Sequence, residues 1–180
     1  MALHPDFPVS PHAILEPSIR WFPADETLRE TSMEKLMPPL VANLRRKVKE
    51  FRDSGYAGAS DTSKSLLNWW FKEPHLLPCA DGTSKTFQYF FAQREALETI
   101  IYLYDVVGAK DKYDLMRFDS SGVVSASMFD ESWRRYIIKM ATGSGKTKVM
   151  SLALAWSYYH KLYEPDSELA RNFLIIVPNI

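Results

Sequence analysis

Cysteine is nearly absent from this chain of 180 residues: Cys79 stands alone, so no internal disulfide can form and a small disulfide-framed scaffold is excluded. Histidine is scarce too, and His4, His12, His75 and His160 do not fall at metal-ligand spacings, so the protein is read as metal-free by default. There is no surplus of either charge, with 22 basic side chains against 22 acidic ones. That balance excludes a molecule whose whole surface attracts nucleic acid or anionic membrane, and leaves only local patches for such contacts. No apolar run approaches the roughly 20 residues that span a bilayer. Residues 1–8 lack the basic region and apolar stretch of a secretion signal. The expectation is a cytoplasmic protein with no membrane partner.

What is present is globular: 46% of residues are hydrophobic and 24% charged. The length allows one domain, or one domain with an extension. Pro5, Pro8, Pro11, Pro17 and Pro23 remove backbone donors near the start, which predicts an extended lead-in that drapes over something else. Pro38 and Pro39 can open a helix whose Leu40, Val41, Leu44, Val48 and Phe51 share a face and which Gly55 ends. Arg45, Arg46, Lys47 and Lys49 decorate that helix, either as a solvated face or as a phosphate-binding one. Asp61-Thr62-Ser63 reads as a cap for a further helix through Trp69, Trp70 and Phe71, and adjacent tryptophans diverge on a helix, so at least one packs inside. Residues 74–82 read as a loop. Residues 87–107 carry Ala96, Leu97, Ile100, Ile101, Leu103 and Tyr104 at helical spacing. Residues 108–134 lack periodicity and read as an inserted excursion with a short helix of its own.

The chemistry concentrates further on. Residues 135–140 form a short β-branched run leading into Ala141-Thr142-Gly143-Ser144-Gly145-Lys146-Thr147, residues 148–161 read as a helix, and residues 172–177 are apolar throughout, ended by Pro178. Strand, glycine-rich loop, helix and strand make a βαβ unit whose second strand suits a parallel sheet covered on both faces. Gly143 and Gly145 let the chain curl so that successive N–H groups face phosphate oxygens, and the following helix adds its positive end. Lys146 can reach the β and γ phosphates, and the Thr147 hydroxyl can ligate a bridging Mg²⁺. By ordinary residue usage the pattern G-x-G-K-[ST] arises by accident in roughly one such chain in 150. The general form of this loop wants glycine where Met140 stands, which argues against many small kinases and GTPases.

The segment Met140-Ala141-Thr142-Gly143-Ser144-Gly145-Lys146-Thr147 resembles motif I of superfamily 2, DEAD/DEAH-box-like helicases, and in particular that of the Res subunit of type III restriction enzymes. Phe90-Phe91-Ala92-Gln93-Arg94-Glu95-Ala96 is similar to the glutamine-bearing segment that precedes motif I there, and residues 173–179 resemble motif Ia. The resemblance implies an α/β fold: an incomplete RecA-like P-loop NTPase domain over residues 86–180, with its parallel sheet and flanking helices, preceded by a mainly helical extension over residues 1–85. It implies ATP and Mg²⁺ as cofactors, held by Gln93 at the adenine, by Thr142, Gly143, Ser144, Gly145 and Lys146 at the phosphates, and by Thr147 at the metal. Lys146 and Thr147 take the catalytic roles, and Pro178 and Asn179 meet the nucleic-acid backbone. Duplex DNA and a modification methyltransferase subunit are the partners it implies, and ATP hydrolysis coupled to movement on DNA is the activity. No D-E-x-[HD] follows Lys146, so the reading is an N-terminal piece without Walker B or a second lobe, inactive alone. Another P-loop ATPase or a nucleotide kinase stays open on the residues, as does a non-catalytic interaction fragment.

Overall fold

The computed structural model describes residues 10–16, 40–119, 121–128 and 137–175. Helix α1, Val41–Asp53, buries Ala42, Val48 and Phe51 along one stripe and keeps Arg46 and Lys47 in solvent. It ends in a Schellman-type closure: Gly55 N–H donates to Arg52 O at 3.1 Å and Tyr56 N–H to Phe51 O at 2.9 Å, with φ of 69° at Gly55 and 65° at Tyr56. A left-handed tyrosine costs about 1–2 kcal/mol. Its burial offsets that cost, since the ring packs edge-on against Phe51 at 5.2 Å and the phenol donates to Glu98 at 2.8 Å.

Helix α2, Asp61–Phe71, is capped one residue earlier than the sequence suggests. Ser60 has extended backbone and its Oγ accepts from Ser63 N–H at 3.1 Å, which leaves Asp61 as an acid in the first turn. Trp70 is buried and Trp69 is exposed. Strands β1, His75–Pro78, and β2, Ser84–Phe87, pair antiparallel with His75 opposite Phe87 and Pro78 opposite Ser84. The expected loop and the start of the expected long helix are therefore a hairpin. It is exposed on both faces, so no hydrophobic alternation announces it.

Helix α3, Phe91–Ile101, runs on as a π-helical turn, Tyr102–Val106. Leu97, Ile101 and Leu103 from the expected apolar stripe are buried. The lead-in lies against the start of this helix, with Phe91 N–H donating to Pro11 O at 2.7 Å. Within the excursion stand a short helix α4, Lys112–Met116, capped by Asp111, and a 3-10 turn, Ala126–Met128. Helix α5, Lys146–Tyr163, extends beyond the expected 148–161 at both ends. Phe51, Leu67, Trp70, Leu97, Leu152 and Trp156 meet in one core, so α1, α2, α3 and α5 share it. Each such side chain contributes about 1.5–3 kcal/mol by leaving water.

The expected βαβ unit keeps its loop and helix, but among the described residues its strands do not form. Residues 137–140 and 172–175 have no strand conformation, and the sheet contains β1 and β2 alone. An apolar strand needs a ladder partner and cover on both faces, whereas Ile137 is 79% exposed and Leu174 is 86% exposed. No described helix is long and apolar enough to cross a membrane.

Burial, and the Glu98 carboxylate after it, hold the Tyr56 phenol above its ordinary range. An acid raised in the folded state contributes stability that is complete below its unfolded pKa of about 10 and is lost as pH climbs toward the folded value. Circular dichroism against pH should show stability falling above about pH 10. Tyr56→Phe should shrink that alkaline step, leaving the part from Tyr89 and Tyr102, whose phenols burial also raises, and a step of unchanged size in the variant would assign it to other groups.

Candidate functional site

The glycine-rich loop is wound by two left-handed residues, Gly143 with φ 78° and Gly145 with φ 82°, and Gly145 is the N-cap of α5. A glycine tolerates that conformation at no steric cost, so the chain can turn from residues 137–141 into the helix within a few positions. Ser144 closes the turn: its N–H donates to Ala141 O at 3.3 Å and its hydroxyl to the same oxygen at 2.6 Å. Lys148 N–H then bonds Gly145 O at 2.9 Å, which starts the helical ladder. The first-turn amides of α5, at Lys146 and Thr147, have no carbonyl four residues back within the helix and point out along its axis. An 18-residue helix adds a partial positive charge there.

Lys146 lies back across the loop, its ammonium donating to Met140 O at 3.2 Å and Ala141 O at 3.1 Å. Those carbonyls occupy the cation in place of an anion, and each is a neutral partner that a phosphate outcompetes electrostatically. Thr142, Gly143, Lys146 and Thr147 are exposed, while Ser144 and Gly145 are half-buried. A methyl group at Gly143 would meet nothing within 4 Å, so the concavity is open to a ligand on that side.

Gln93 comes to this loop from 51 positions before Ser144. Its Nε2 donates to Ser144 O at 3.0 Å, while its Oε1 accepts from Phe90 N–H at 3.0 Å as the N3 partner of a capping arrangement on α3. The side chain is buried and rests directly on Gly145, where a Cβ would fall 2.1 Å from Nε2. Both amide atoms thus have main-chain partners, and the glutamine couples the start of α3 to the start of α5. Beside this tie a cleft of about 380 Å³ opens between α1, α3 and the loop, lined by Leu44, Ala92, Glu95, Ala96, Met140 and Ala141 among others. On the other side the Lys148 ammonium sits 5.6 Å from the Phe87 ring, so the hairpin also touches α5.

Two clusters escaped the sequence reading. Glu98, fully buried on α3, accepts from Arg52 Nε at 2.8 Å, Arg94 Nε at 2.8 Å and the Tyr56 hydroxyl at 2.8 Å, which locks α3 against α1. At the far end of the helix pair, His160 Nε2 lies 3.1 Å from Asp105 Oδ1, and Asp105 Oδ2 accepts from Ser60 N–H at 3.0 Å. That cluster joins α5, the π-helical turn and α2. The available signal was a set of charges, Arg94 and Glu98 at helical spacing, on a helix that otherwise reads as buried. Pro178 and Asn179 lie outside the described residues. No group of three or more His, Cys, Asp or Glu side chains that could hold a metal occurs among the described residues.

Residues 86–180 match a family model described as the Res subunit of type III restriction enzymes. No curated protein and no solved structure matches the chain.

Proposed function

Because the chain belongs to the family of type III restriction enzyme Res subunits, whose family-level function is helicase-like and ATP-binding, we propose that its loop and α5 form the nucleotide site of a superfamily 2 motor that hydrolyses ATP to move on duplex DNA. One observation carries this reading: a left-handed Gly145 caps a long helix directly behind a second left-handed glycine, with an ammonium group on the next residue. That arrangement places main-chain donors, a helix end and a lysine beside one another in a single loop, which is what a polyphosphate needs. Lys146 leaves the Met140 and Ala141 carbonyls for the phosphates, and the amides of residues 143–147 hold the β-phosphate. The exposed Thr147 hydroxyl would hold a Mg²⁺ ion, which would supply charge neutralisation to the phosphates. Gln93 reads adenine by exchanging one of its two main-chain partners for the base edge.

The same proposal takes residues 1–85 as a helical extension and residues 86–180 as the first part of a RecA-like domain. It expects the runs 137–140 and 172–175, which are not strands in this structure, to pair in a parallel sheet, with Pro178 and Asn179 at the DNA backbone and a modification subunit as partner. No acidic pair of the D-E-x-[HD] type follows Lys146, so these residues bind nucleotide without turning it over.

Titration with a fluorescent ATP analogue and Mg²⁺ tests the site. Lys146→Ala should weaken binding about 10- to 100-fold, the loss of a charge-assisted contact worth roughly 1.5–3 kcal/mol. Equal affinity for both proteins would remove the loop from nucleotide binding. Rapid ATP turnover by the 180 residues would refute the proposed inactivity.

A further inference from the structure

Three cations from two distant parts of the chain line one cleft at the end of α3 away from the loop. Arg46 and Lys47 enter it from α1 and Arg117 from the turn after α4, with Tyr102 between them and Glu50 as the carboxylate among the lining side chains. The cleft holds about 450 Å³. Tyr102 lies nine residues beyond Gln93, so at 1.5 Å per residue the two sites are roughly 13 Å apart along the helix.

The cations are held together rather than left to separate. Asn43 does this with both ends of its amide: Nδ2 donates to Phe118 O at 3.0 Å, tying α1 to the Arg117 turn, and Oδ1 accepts from the Arg46 guanidinium. Lys47 is 2.8 Å from Glu50, and Arg117 is 2.5 Å from Asp114. Two carboxylates therefore face three cations, and Arg46 takes a neutral oxygen. Lys47 and Arg117 are still about half exposed, with side-chain accessibilities of 53% and 54%. Glu50 and Asp114 offset two of the three positive charges, and the Arg46 charge is left over, so an added anion lowers the Coulomb energy of the cleft. Two guanidinium forks, one ammonium and the Tyr102 hydroxyl are all donors, and phosphate oxygens accept only.

We propose that this cleft grips the phosphodiester backbone of a nucleic-acid strand, at a position separate from the nucleotide loop. The inference rests on the nucleic-acid part of the function proposed above and not on the P-loop part. It gives the basic run on α1 its phosphate-binding reading at Arg46 and Lys47, while Lys49 turns away to Asp53 at 2.5 Å.

Fluorescence anisotropy of a labelled duplex oligonucleotide, titrated with the 180-residue chain at several salt concentrations, tests it. The double variant Arg46→Gln with Arg117→Gln should bind about 10-fold more weakly at low salt. The slope of log K against log salt should fall by about 1.8, or about 0.9 for each lost phosphate contact. Arg117→Gln alone should lower the slope by about 0.9, and it decides the matter if the double variant melts early. If the wild-type chain binds no duplex, the nucleic-acid reading falls and takes this inference with it. If it binds and the arginine variants match it, the inference alone falls. Displacement of the duplex by millimolar inorganic phosphate at constant ionic strength would also overturn it, by making the cleft a small-anion site.

Discussion

Glu98→Ala is expected to cost about 3–5 kcal/mol, because it removes the one carboxylate that the buried Arg52 and the half-buried Arg94 share. The Glu98 side chain has no exposure, against 5% for Arg52 and 15% for Arg94. Oε2 accepts two bonds from Arg52, at 2.8 and 2.5 Å, and Oε1 accepts from Arg94 and Tyr56. Removing the carboxylate strands the Arg52 guanidinium away from water and leaves Arg94 and the Tyr56 phenol with their mutual bond at 3.0 Å. Glu95 is 3.9 Å from Arg52 and compensates only in part. A loss of this size is a large share of a usual stability of about 5–15 kcal/mol. Calorimetry should show melting lowered by roughly 10 °C or more. Glu98→Gln keeps the shape and loses the charge, so its melting point should fall between the two. A Glu98→Ala protein that melts with the wild type would mean that apolar packing alone joins α1 to α3.

The second large effect is expected at Gly145. Alanine there must adopt φ near 82°, which costs about 1–2 kcal/mol, and its Cβ would fall 2.1 Å from Gln93 Nε2. The glutamine amide can rotate away, but only by giving up Ser144 O and Phe90 N–H, each a half-buried bond worth about 1 kcal/mol. Gly145→Ala should therefore destabilise by about 3 kcal/mol and weaken nucleotide binding at least as much as Lys146→Ala does. A double-mutant cycle separates the two causes. In a Gln93→Ala background the clash is gone and only the backbone strain is left, so Gly145→Ala should cost about 1–2 kcal/mol there. Strict additivity would show that the Gln93 tie to the loop contributes nothing.

These two residues also mark how far the sequence could be read. The loop was legible because its requirement is local: two glycines, a lysine and a threonine at fixed spacing suffice to turn a chain into a helix start. The helices were legible for the same reason, since Val48 and Phe51 on α1, or Leu97 and Ile101 on α3, recur at the period of the helix itself. The hairpin was missed because its short strands expose both faces, so Leu76 and Leu77 stand side by side without alternation. The strands expected at 135–140 and 172–177 do not form over their described parts, 137–140 and 172–175. Their apolar composition states a demand for cover, and composition cannot say whether a neighbouring strand is there to meet it.

The amino-acid order by itself determined the helix-forming segments, the curled loop and the family to which residues 86–180 belong, because each depends on contacts within a few positions or on a contiguous pattern. Only the tertiary structure decided that Gln93 rests on Gly145, that Glu98 gathers Arg52, Arg94 and Tyr56, and that Asn43 holds Arg46 beside the Arg117 turn. Apart from Arg94 with Glu98 and Asn43 with Arg46, which are neighbours on one helix turn, those pairings join groups that lie tens of residues apart. Their partners are chosen by which faces the packed helices bring together, and by the cost of leaving a buried charge or amide without one.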